Sequence, residues 1–307
     1  MYLRVSLTDR CNLRCRYCLP ERPRFAPERV AGERLRRLTE LISRAVSVDK
    51  IRYTGGEPAL VPDLDEHVAL GARLTDGNVG LTSNGLLLAE RLPALRDAGL
   101  RRLNISLDGV DEASFLRVTR RPGFGRVLGA IRRARALGFR PLKVNVVAMA
   151  STDYAGLVAL AIREGVQLRF IELMAIGVAR AEHATEYCAA DAIRARLFDA
   201  GYSLFEQTEL DEPTSRVWTL AGVAPERCSI GFITTSSDPF CATCDRIRLT
   251  SQGRLHTCLF DNSGTDLLEP WQRHGEAGVV AAVQTAVAAK APPAHFVRYA
   301  DMAAIGG

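Results

Sequence analysis

The chain has 307 residues, 47% of them hydrophobic, and a formal net charge of +5. This length supports a large core but leaves the number of domains open. There is no run of 18 apolar residues and no basic-then-apolar leader, so we expect a cytoplasmic protein without a membrane partner. Because nearly all the cations are arginine, the small positive charge carries little weight, and we expect no nucleic-acid partner.

Short β-branched runs alternate with amphipathic stretches up to Met174, which is typical of β-α units that build a parallel sheet. The predicted strands lie near 3–7, 50–53, 80–82, 103–107, 142–147 and 168–171. Helices are predicted between them at 34–43, 63–75, 86–98, 126–137 and 154–164. Six units are too few for a closed eight-stranded barrel, so an open partial barrel and a doubly wound sheet both remain.

The predicted strands carry an unusual polar face. Side chains at alternate positions share a face of a strand, and parallel sheets are normally apolar on both faces. A polar face therefore predicts a lumen that holds a polar ligand. The residues on it are Arg4, Ser6, Thr8, Arg52, Thr54, Thr82, Asn84, Asn104, Ser106, Asp108, Lys143, Asn145 and Arg169.

Cys11, Cys15 and Cys18 lie in one loop directly after the first predicted strand. Their spacing lets a short loop wrap three corners of a 4Fe-4S cluster and leaves the fourth iron without a protein ligand. A structural zinc site needs four ligands, and no cysteine or histidine follows between residues 19 and 46. We interpret this triad as a cluster site rather than a zinc site or a redox dithiol.

A Gly55-Gly56-Glu57-Pro58 turn follows the second predicted strand. Paired glycines let a backbone approach a ligand at a distance that any side chain would prevent. By itself such a turn is as often an ordinary loop.

After Met174 the rhythm changes, and we place a boundary near residue 180, with an alanine-rich helix at about 277–289. This region holds a second triad, Cys241, Cys244 and Cys258. A structural zinc completed by His256, Cys188 or Cys228 remains an alternative here. Arg246 and Arg248 favour a second open cluster with an anion-binding rim, because guanidinium groups bind phosphate oxygens in pairs.

The first triad, with an aromatic residue before its last cysteine, resembles the radical S-adenosylmethionine (SAM) signature. Adding the glycine turn, residues 104–108, 143–145 and 169–174, the second triad and the terminal glycines, nearly the whole chain resembles the GTP 3',8-cyclase family of molybdenum cofactor biosynthesis. The resemblance implies a partial (βα)6 TIM-type barrel over 1–180. It implies a C-terminal iron-sulfur cluster extension over 181–307.

The resemblance also implies two 4Fe-4S clusters and SAM as cofactors. In the family, a 5'-deoxyadenosyl radical takes hydrogen from the ribose 3' carbon of GTP, which then closes onto guanine carbon 8. The product is (8S)-3',8-cyclo-7,8-dihydroguanosine 5'-triphosphate, in the first step of molybdopterin biosynthesis.

Roles carried over by matching position fall into four groups. The cluster ligands are Cys11, Cys15, Cys18, Cys241, Cys244 and Cys258, and the SAM-binding residues are Tyr17, Gly56, Ser106 and Met174. The GTP-binding residues are Arg4, Arg52, Thr82, Lys143, Arg246 and Arg248, and the catalytic group comprises Arg4, Lys143, Arg169, Gly306 and Gly307.

Further partners implied are a reducing electron donor such as flavodoxin or ferredoxin, and the next enzyme of molybdopterin synthesis. A homodimer is compatible with the sequence. The chain lacks the arginines that commonly follow the glycine turn, at 59–63, and a tryptophan often found after Met174. These departures leave open a radical SAM paralogue that acts on another nucleotide or on a peptide.

Overall fold

The computed structural model describes residues 1–27, 29–207, 214–293, 295–298 and 300–306. Six β-α units come first, and all six predicted strands are confirmed. The strands are Tyr2–Ser6 (β1), Lys50–Thr54 (β2), Val79–Ser83 (β3), Arg102–Ser106 (β4), Leu142–Ala148 (β5) and Gln167–Glu172 (β6). The helices are Gly32–Val46 (α1), Leu64–Leu74 (α2), Leu88–Asp97 (α3), Glu112–Thr119 (α4), Phe124–Ala136 (α5) and Tyr154–Glu164 (α6).

The strands β1 to β6 are hydrogen-bonded in sequence order, each parallel to the next. Because the order never reverses, the sheet is not doubly wound, and the open partial barrel is confirmed. Odd-numbered side chains such as Leu3, Val5 and Leu81 are fully buried under the helices. The outer face of the sheet is therefore the apolar core, and the even-numbered polar residues of β1 to β4 face inward.

The region after Met174 adds strands to both edges of the same sheet. Beyond β6 lie Ile230–Ile233 (β10), Arg216–Leu220 (β9) and Leu204–Gln207 (β8), and beyond β1 lie Arg246–Leu249 (β11), Arg254–His256 (β12) and Thr265–Asp266 (β13). The twelve strands form one open sheet. The division near residue 180 stays a prediction, since the sheet continues across it.

The remaining strands and α-helices lie outside the twelve-stranded sheet. They are Ala175–Ile176 (β7), Ala179–Glu186 (α7), Ala190–Asp199 (α8), Leu268–Ala288 (α9), Val297–Arg298 (β14) and Met302–Ile305 (α10). Among them, α9 packs against α1 and α8 packs against α6. The predicted alanine-rich helix is the second half of α9, which kinks at Gly275 with φ 62° and ψ −152°. No described helix is long and apolar enough to cross a membrane.

Candidate active site

The barrel encloses a cavity of about 400 Å³ that every strand from β1 to β6 lines with polar side chains. The strand-face argument predicted most of this lining. Those of its residues that reach the cavity are Arg4, Arg52, Thr54, Thr82, Asn84, Asn104, Ser106, Asp108, Lys143, Asn145 and Arg169. In-register pairing of the parallel strands aligns these side chains, for example Arg4 with Arg52 and Thr82 with Asn104.

The first cysteine triad lies at the carboxyl end of β1. Cys11, Cys15 and Cys18 are free thiols, and all three line the cavity. The Cys15 carbonyl accepts the N–H groups of Cys18 at 2.9 Å and Leu19 at 3.0 Å, which folds the loop into a tight turn. One short loop thus brings all three sulfurs to the cavity wall.

The turn after β2 rests on this cysteine loop. A Cβ added at Gly56 would lie 2.3 Å from the carbonyl oxygen of Arg10, and one at Gly55 would lie 2.6 Å from that of Thr8. The Gly56 N–H donates to Thr8 at 2.6 Å. The glycines are therefore required by the approach of the chain's own backbone, whereas the sequence argument attributed them to the approach of a ligand.

Glu57 ties the same turn to the end of β3. Its carboxylate accepts hydrogen bonds from the Ser83 hydroxyl at 2.7 Å, the Asn84 N–H at 2.7 Å and the Ala59 N–H at 2.9 Å. Burial raises the pKa of Glu57, and these donors oppose that effect. The carboxylate is a structural clamp between two strand ends.

Tyr17, Ser106 and Met174, assigned by resemblance to SAM, all line the cavity beside the first triad. The Tyr17 hydroxyl donates to Asp108 at 2.6 Å, and the other carboxylate oxygen of Asp108 accepts the Val147 N–H at 2.8 Å. The Tyr17 side chain is therefore held in the wall by the ends of β4 and β5.

Cations crowd the lumen around Tyr2, on the amino-terminal halves of β1, β2 and β11. Arg52 Nε donates to the Tyr2 hydroxyl at 2.8 Å, Lys50 Nζ lies 4.9 Å from the ring centre, and Arg246 Cζ lies 5.5 Å from it. Burial alone would raise the pKa of Tyr2, but the charges of Arg52, Arg4, Arg246 and Lys50 lower it to about 7. Such a field favours an anionic ligand.

Arg4 and Arg248 are neighbours in the register of β1 and β11. Burial lowers the pKa of Arg4 to about 10, and burial together with the charges of Arg4 and Arg246 lowers that of Arg248 well below its usual range. Arg248 Nη1 donates to the Gly306 carbonyl at 3.0 Å. The end of the chain therefore enters the barrel, and a Cβ on Gly306 would lie 2.8 Å from Ser6 Cβ. Gly307 lies outside the described residues.

The second triad lies at the amino end of the strands. Cys241 and Cys244 precede β11, which is parallel to β1, while Cys258 follows the antiparallel β12. All three thiols line the same cavity as the first triad. The five residues of β1, at roughly 3.3 Å each, therefore lie between the two triads along the strand direction.

The thiols of each triad lie close enough to interact. Burial raises the pKa of Cys15, and the charges of Asp108, Cys18 and Cys11 raise it further. Burial also raises the pKa of Cys241, followed by the charges of Cys258 and Cys244. Three adjacent half-buried thiols repel one another when they are deprotonated, and bound iron would neutralise their charge, so this donor set fits an iron cluster.

Among the residues that the structure describes, no three His, Cys, Asp or Glu side chains converge to hold a single metal ion. A cubane cluster does not need such convergence, because each cysteine binds a different corner iron.

Arg169 and Glu172 on β6 play different parts. Arg169 Nε and Nη2 both donate to Asn145 Oδ1, at 3.0 and 2.9 Å, which holds the guanidinium against β5 in the cavity wall. Glu172 accepts the N–H groups of Ser236 at 2.9 Å and Ser237 at 3.0 Å. It thereby anchors the segment that leads to Cys241.

Sequence reasoning missed several cavity residues. Tyr2, Lys50 and Arg102 line the lumen and share strand faces with Arg4, Arg52 and Asn104. Following the alternation one step towards each strand start would have found them. The rarity of lysine was a second signal, because the chain has only Lys50, Lys143 and Lys290 and the first two line the cavity. Lys290 donates to the Arg246 carbonyl at 2.5 Å and lies 3.9 Å from Cys244 Sγ.

An arginine of a neighbouring helix binds the segment that follows the glycine turn. Arg91 of α3 donates to the carbonyls of Ala59 at 3.0 Å, Val61 at 2.7 Å and Pro62 at 3.0 Å. The loop that lacks arginines of its own is therefore held by a guanidinium from the neighbouring helix.

Two family models match the chain in succession. The model of the radical SAM superfamily matches residues 5–156, and the model described as Molybdenum Cofactor Synthesis C matches residues 166–296. A protein from Mycobacterium tuberculosis named GTP 3',8-cyclase 2 is 37% identical over 99% of this chain and 89% of its own length. The chain belongs to the GTP 3',8-cyclase family.

Other curated members of the GTP 3',8-cyclase family show similar likeness. A Pseudomonas putida GTP 3',8-cyclase is 38% identical over 89% of this chain and 83% of its own length. A Rhodopirellula baltica GTP 3',8-cyclase is 38% identical over 86% of this chain and 76% of its own length. Membership of the radical SAM superfamily implies a 4Fe-4S cluster and SAM as cofactors.

Among solved structures, the fold is similar to that of Streptococcus suis SuiB bound to S-adenosylmethionine. The TM-score is 0.59 at 14% identity, covering 92% of this chain and 67% of SuiB. At this identity the likeness concerns the fold alone, and it agrees with the radical SAM barrel.

Proposed function

We propose that this chain is a radical SAM GTP 3',8-cyclase of the cytoplasm that converts GTP to (8S)-3',8-cyclo-7,8-dihydroguanosine 5'-triphosphate. The observation that carries the proposal is one cavity with a cysteine triad at each end and a band of buried cations between them. A nucleoside triphosphate suits that band, because it carries several negative charges and oxygens that guanidinium groups bind in pairs.

We assign the first triad to the SAM-binding 4Fe-4S cluster and the second triad to a second cluster that binds guanine. When bound, SAM and its cluster supply a carbon radical. Tyr17, Gly56, Ser106 and Met174 hold SAM, and the residues proposed for GTP are Arg4, Arg52, Thr82, Lys143, Arg246 and Arg248. Arg4, Lys143, Arg169 and the terminal glycines form the catalytic group, which fixes the ribose relative to the radical.

Positioning is the main work of these side chains. A carbon radical must contact one hydrogen and be kept from all others, so a rigid wall matters more than acid-base chemistry. The pairing of Arg169 with Asn145 and of Tyr17 with Asp108 supports such rigidity. A reductant, the next enzyme of molybdopterin synthesis and a second copy of the chain remain proposed partners.

The test is anaerobic reconstitution followed by incubation with SAM, a chemical reductant and GTP. We expect about eight irons per chain and formation of the cyclised nucleotide, detected by mass spectrometry. Cys241→Ala should lower iron to about four per chain and abolish cyclisation while SAM cleavage persists. Eight irons with SAM cleavage but no cyclised nucleotide would contradict GTP as the substrate, and four irons in the unaltered chain would contradict the second cluster.

A further inference from the structure

Exposed arginines surround the outer side of the first cysteine loop. Arg22 and Arg24 lie in the segment after Cys18, and Arg117 and Arg121 lie on α4 and just after it. All four are exposed. With two half-buried neighbours they form a surface that we call the arginine rim: Arg14, Arg22, Arg24, Arg117, Arg120 and Arg121.

The arginine rim is continuous with the loop that carries the thiols. The Arg14 N–H donates to the Thr119 carbonyl at 3.0 Å, which joins the cysteine loop to the end of α4. Arg120 Nη1 reaches the Leu19 carbonyl at 3.5 Å, and the Arg14 guanidinium lies 5.6 Å from the Phe25 ring centre. One layer of chain therefore separates these cations from the first triad.

Some exposed arginines on other faces have carboxylate partners, and the rim differs from those faces in gathering six arginines beside one cysteine loop. Arg37 pairs with Glu276 at 2.6 Å, and Arg273 pairs with Glu269 at 2.9 Å. Such pairs cancel the field at the surface.

Within the described part of the chain, the four exposed arginines of the rim have no carboxylate within salt-bridge distance, and Arg120 has only Glu21 at 3.9 Å. The carboxylate of Glu112 on the same helix is used elsewhere, accepting the N–H groups of Gly123 at 2.7 Å and Phe124 at 3.0 Å. The Asp111 side chain caps α4 by accepting the Ser114 N–H at 2.7 Å. These two carboxylates and Glu21 keep their charges, but the six arginines of the rim outnumber them, so the rim is net positive among the described residues.

We propose that the arginine rim is the docking surface for an acidic one-electron carrier protein that reduces the first cluster. This inference rests on the proposed function, in which SAM cleavage requires that an electron reach the first cluster. The other outer faces of the barrel need no electron. One electron leaves the carrier, which is oxidised, and enters the first cluster, which is reduced, with no bond formed or broken.

Charge and position both favour this partner. An uncompensated cationic surface speeds encounter with an acidic protein by about 10-fold to 1,000-fold at low salt. Leu116, 45% exposed beside Arg117 on α4, provides an apolar contact of the kind that a docking surface has at its centre. GTP is proposed to bind the buried cations inside the barrel, so it does not account for the arginines on the outer surface.

Two charge-reversal variants test the rim: Arg22→Glu with Arg24→Glu, and Arg117→Glu with Arg121→Glu. The probe is a purified, reduced low-potential flavodoxin, and sodium dithionite serves as a reductant that needs no docking. We expect each variant to bind flavodoxin at least about tenfold more weakly and to cleave SAM correspondingly slowly with it. With dithionite the variants should cleave SAM at the rate of the unaltered chain.

The matched control carries the same change of charge far from the rim. Arg101 precedes β4 and Arg227 precedes β10, so both lie at the amino ends of the strands, and both are exposed. Arg101→Glu with Arg227→Glu should leave flavodoxin binding within about twofold, because exposed charges more than a Debye length away are screened.

Equal flavodoxin binding by the rim variants and the control would overturn the proposal. It would also be overturned if the unaltered chain bound flavodoxin equally well at about 0.05 M and 0.3 M salt, a measurement that needs no variant. Loss of duplex DNA binding with flavodoxin-driven cleavage intact would make the rim a polyanion site instead. Absence of dithionite-driven SAM cleavage in the unaltered chain would refute the proposed function, and the docking surface with it.

Discussion

At the scale of single residues, the Asp108 carboxylate fixes the aromatic ring of Tyr17 beside the proposed SAM site. Removing the hydroxyl in Tyr17→Phe leaves the ring free to turn, and Asp108→Asn weakens the same bond. A hydrogen bond to a charged group contributes roughly 1.5–3 kcal/mol. We therefore expect either variant to lower SAM affinity about tenfold in equilibrium binding to the reconstituted protein.

The double variant should be no worse than either single one, because both remove the same bond. Tyr154→Phe is a suitable control, since the Tyr154 hydroxyl donates to the Met149 carbonyl at 2.8 Å on the outer side of the sheet. It should leave SAM affinity unchanged. Additive losses from Tyr17→Phe and Asp108→Asn would show that the two side chains act separately.

A second residue-scale prediction concerns pH. His67 is fully buried 3.6 Å from Asp63, and burial lowers its pKa to about 4, an effect that Asp63 opposes. The folded state thus binds fewer protons than the unfolded state, whose histidine has a pKa near 6.5. The contribution of His67 to the free energy of unfolding is therefore complete above pH 6.5 and declines as the pH falls towards 4.

We expect the unaltered chain to lose about 2 kcal/mol of unfolding free energy from this group between pH 7 and pH 4.5. His67→Phe keeps the ring packed against Tyr53, whose centre lies 5.7 Å away, and removes the titration. The free energy of unfolding of this variant, measured in urea, should therefore fall by about 2 kcal/mol less over the same pH range. Parallel pH profiles for the two proteins would show that His67 is not the titrating group.

At the scale of elements, the turn after β2 and the loop after β1 form one packed unit. Gly56→Ala would place a methyl group 2.3 Å from the Arg10 carbonyl oxygen, so one of the two loops must move. We expect a loss of about 3 kcal/mol in stability and incomplete iron loading of the first triad. Iron per chain after reconstitution and urea unfolding are the measurements.

Gly129→Ala is the matched control, because the space around Gly129 within α5 is open to a distance of 4 Å. Alanine favours a helix over glycine by up to about 1 kcal/mol, so this variant should be slightly stabilised and load normally. Equal iron content in both variants would mean that the cysteine loop does not depend on the turn.

The elements also show what the sequence can and cannot predict. Alternation and helical periodicity are local, so they locate the six strands and place Arg4, Arg52 and Lys143 in the lumen. The pairing of β11 with β1 depends on residues more than 200 positions apart, and no local pattern encodes it. The helix α4 was missed because eight residues hold little more than two turns of periodicity.

At the scale of the whole molecule, the C-terminal segment crosses the mouth of the barrel. The strand β14 pairs with β7, Arg298 donates to the Leu259 carbonyl at 3.2 Å, and Gly306 meets Arg248 inside the lumen. The last residues of the chain therefore contact the loop after Cys258 as well as β1. Contacts to β1 and to the loop after Cys258 make this segment part of the site rather than an appendage.

The shared sheet leads to a final prediction about the boundary near residue 180. A fragment of residues 1–180 would expose the edge of β1 that pairs with β11 and the edge of β6 that pairs with β10. Unpaired edges recruit other strands, so we expect this fragment to aggregate on expression. Co-expression with residues 181–307 should restore a soluble complex, because it returns both missing partners. A soluble, monomeric fragment that unfolds cooperatively in urea would instead show that the barrel is a separate domain and that the added strands contribute little to its stability.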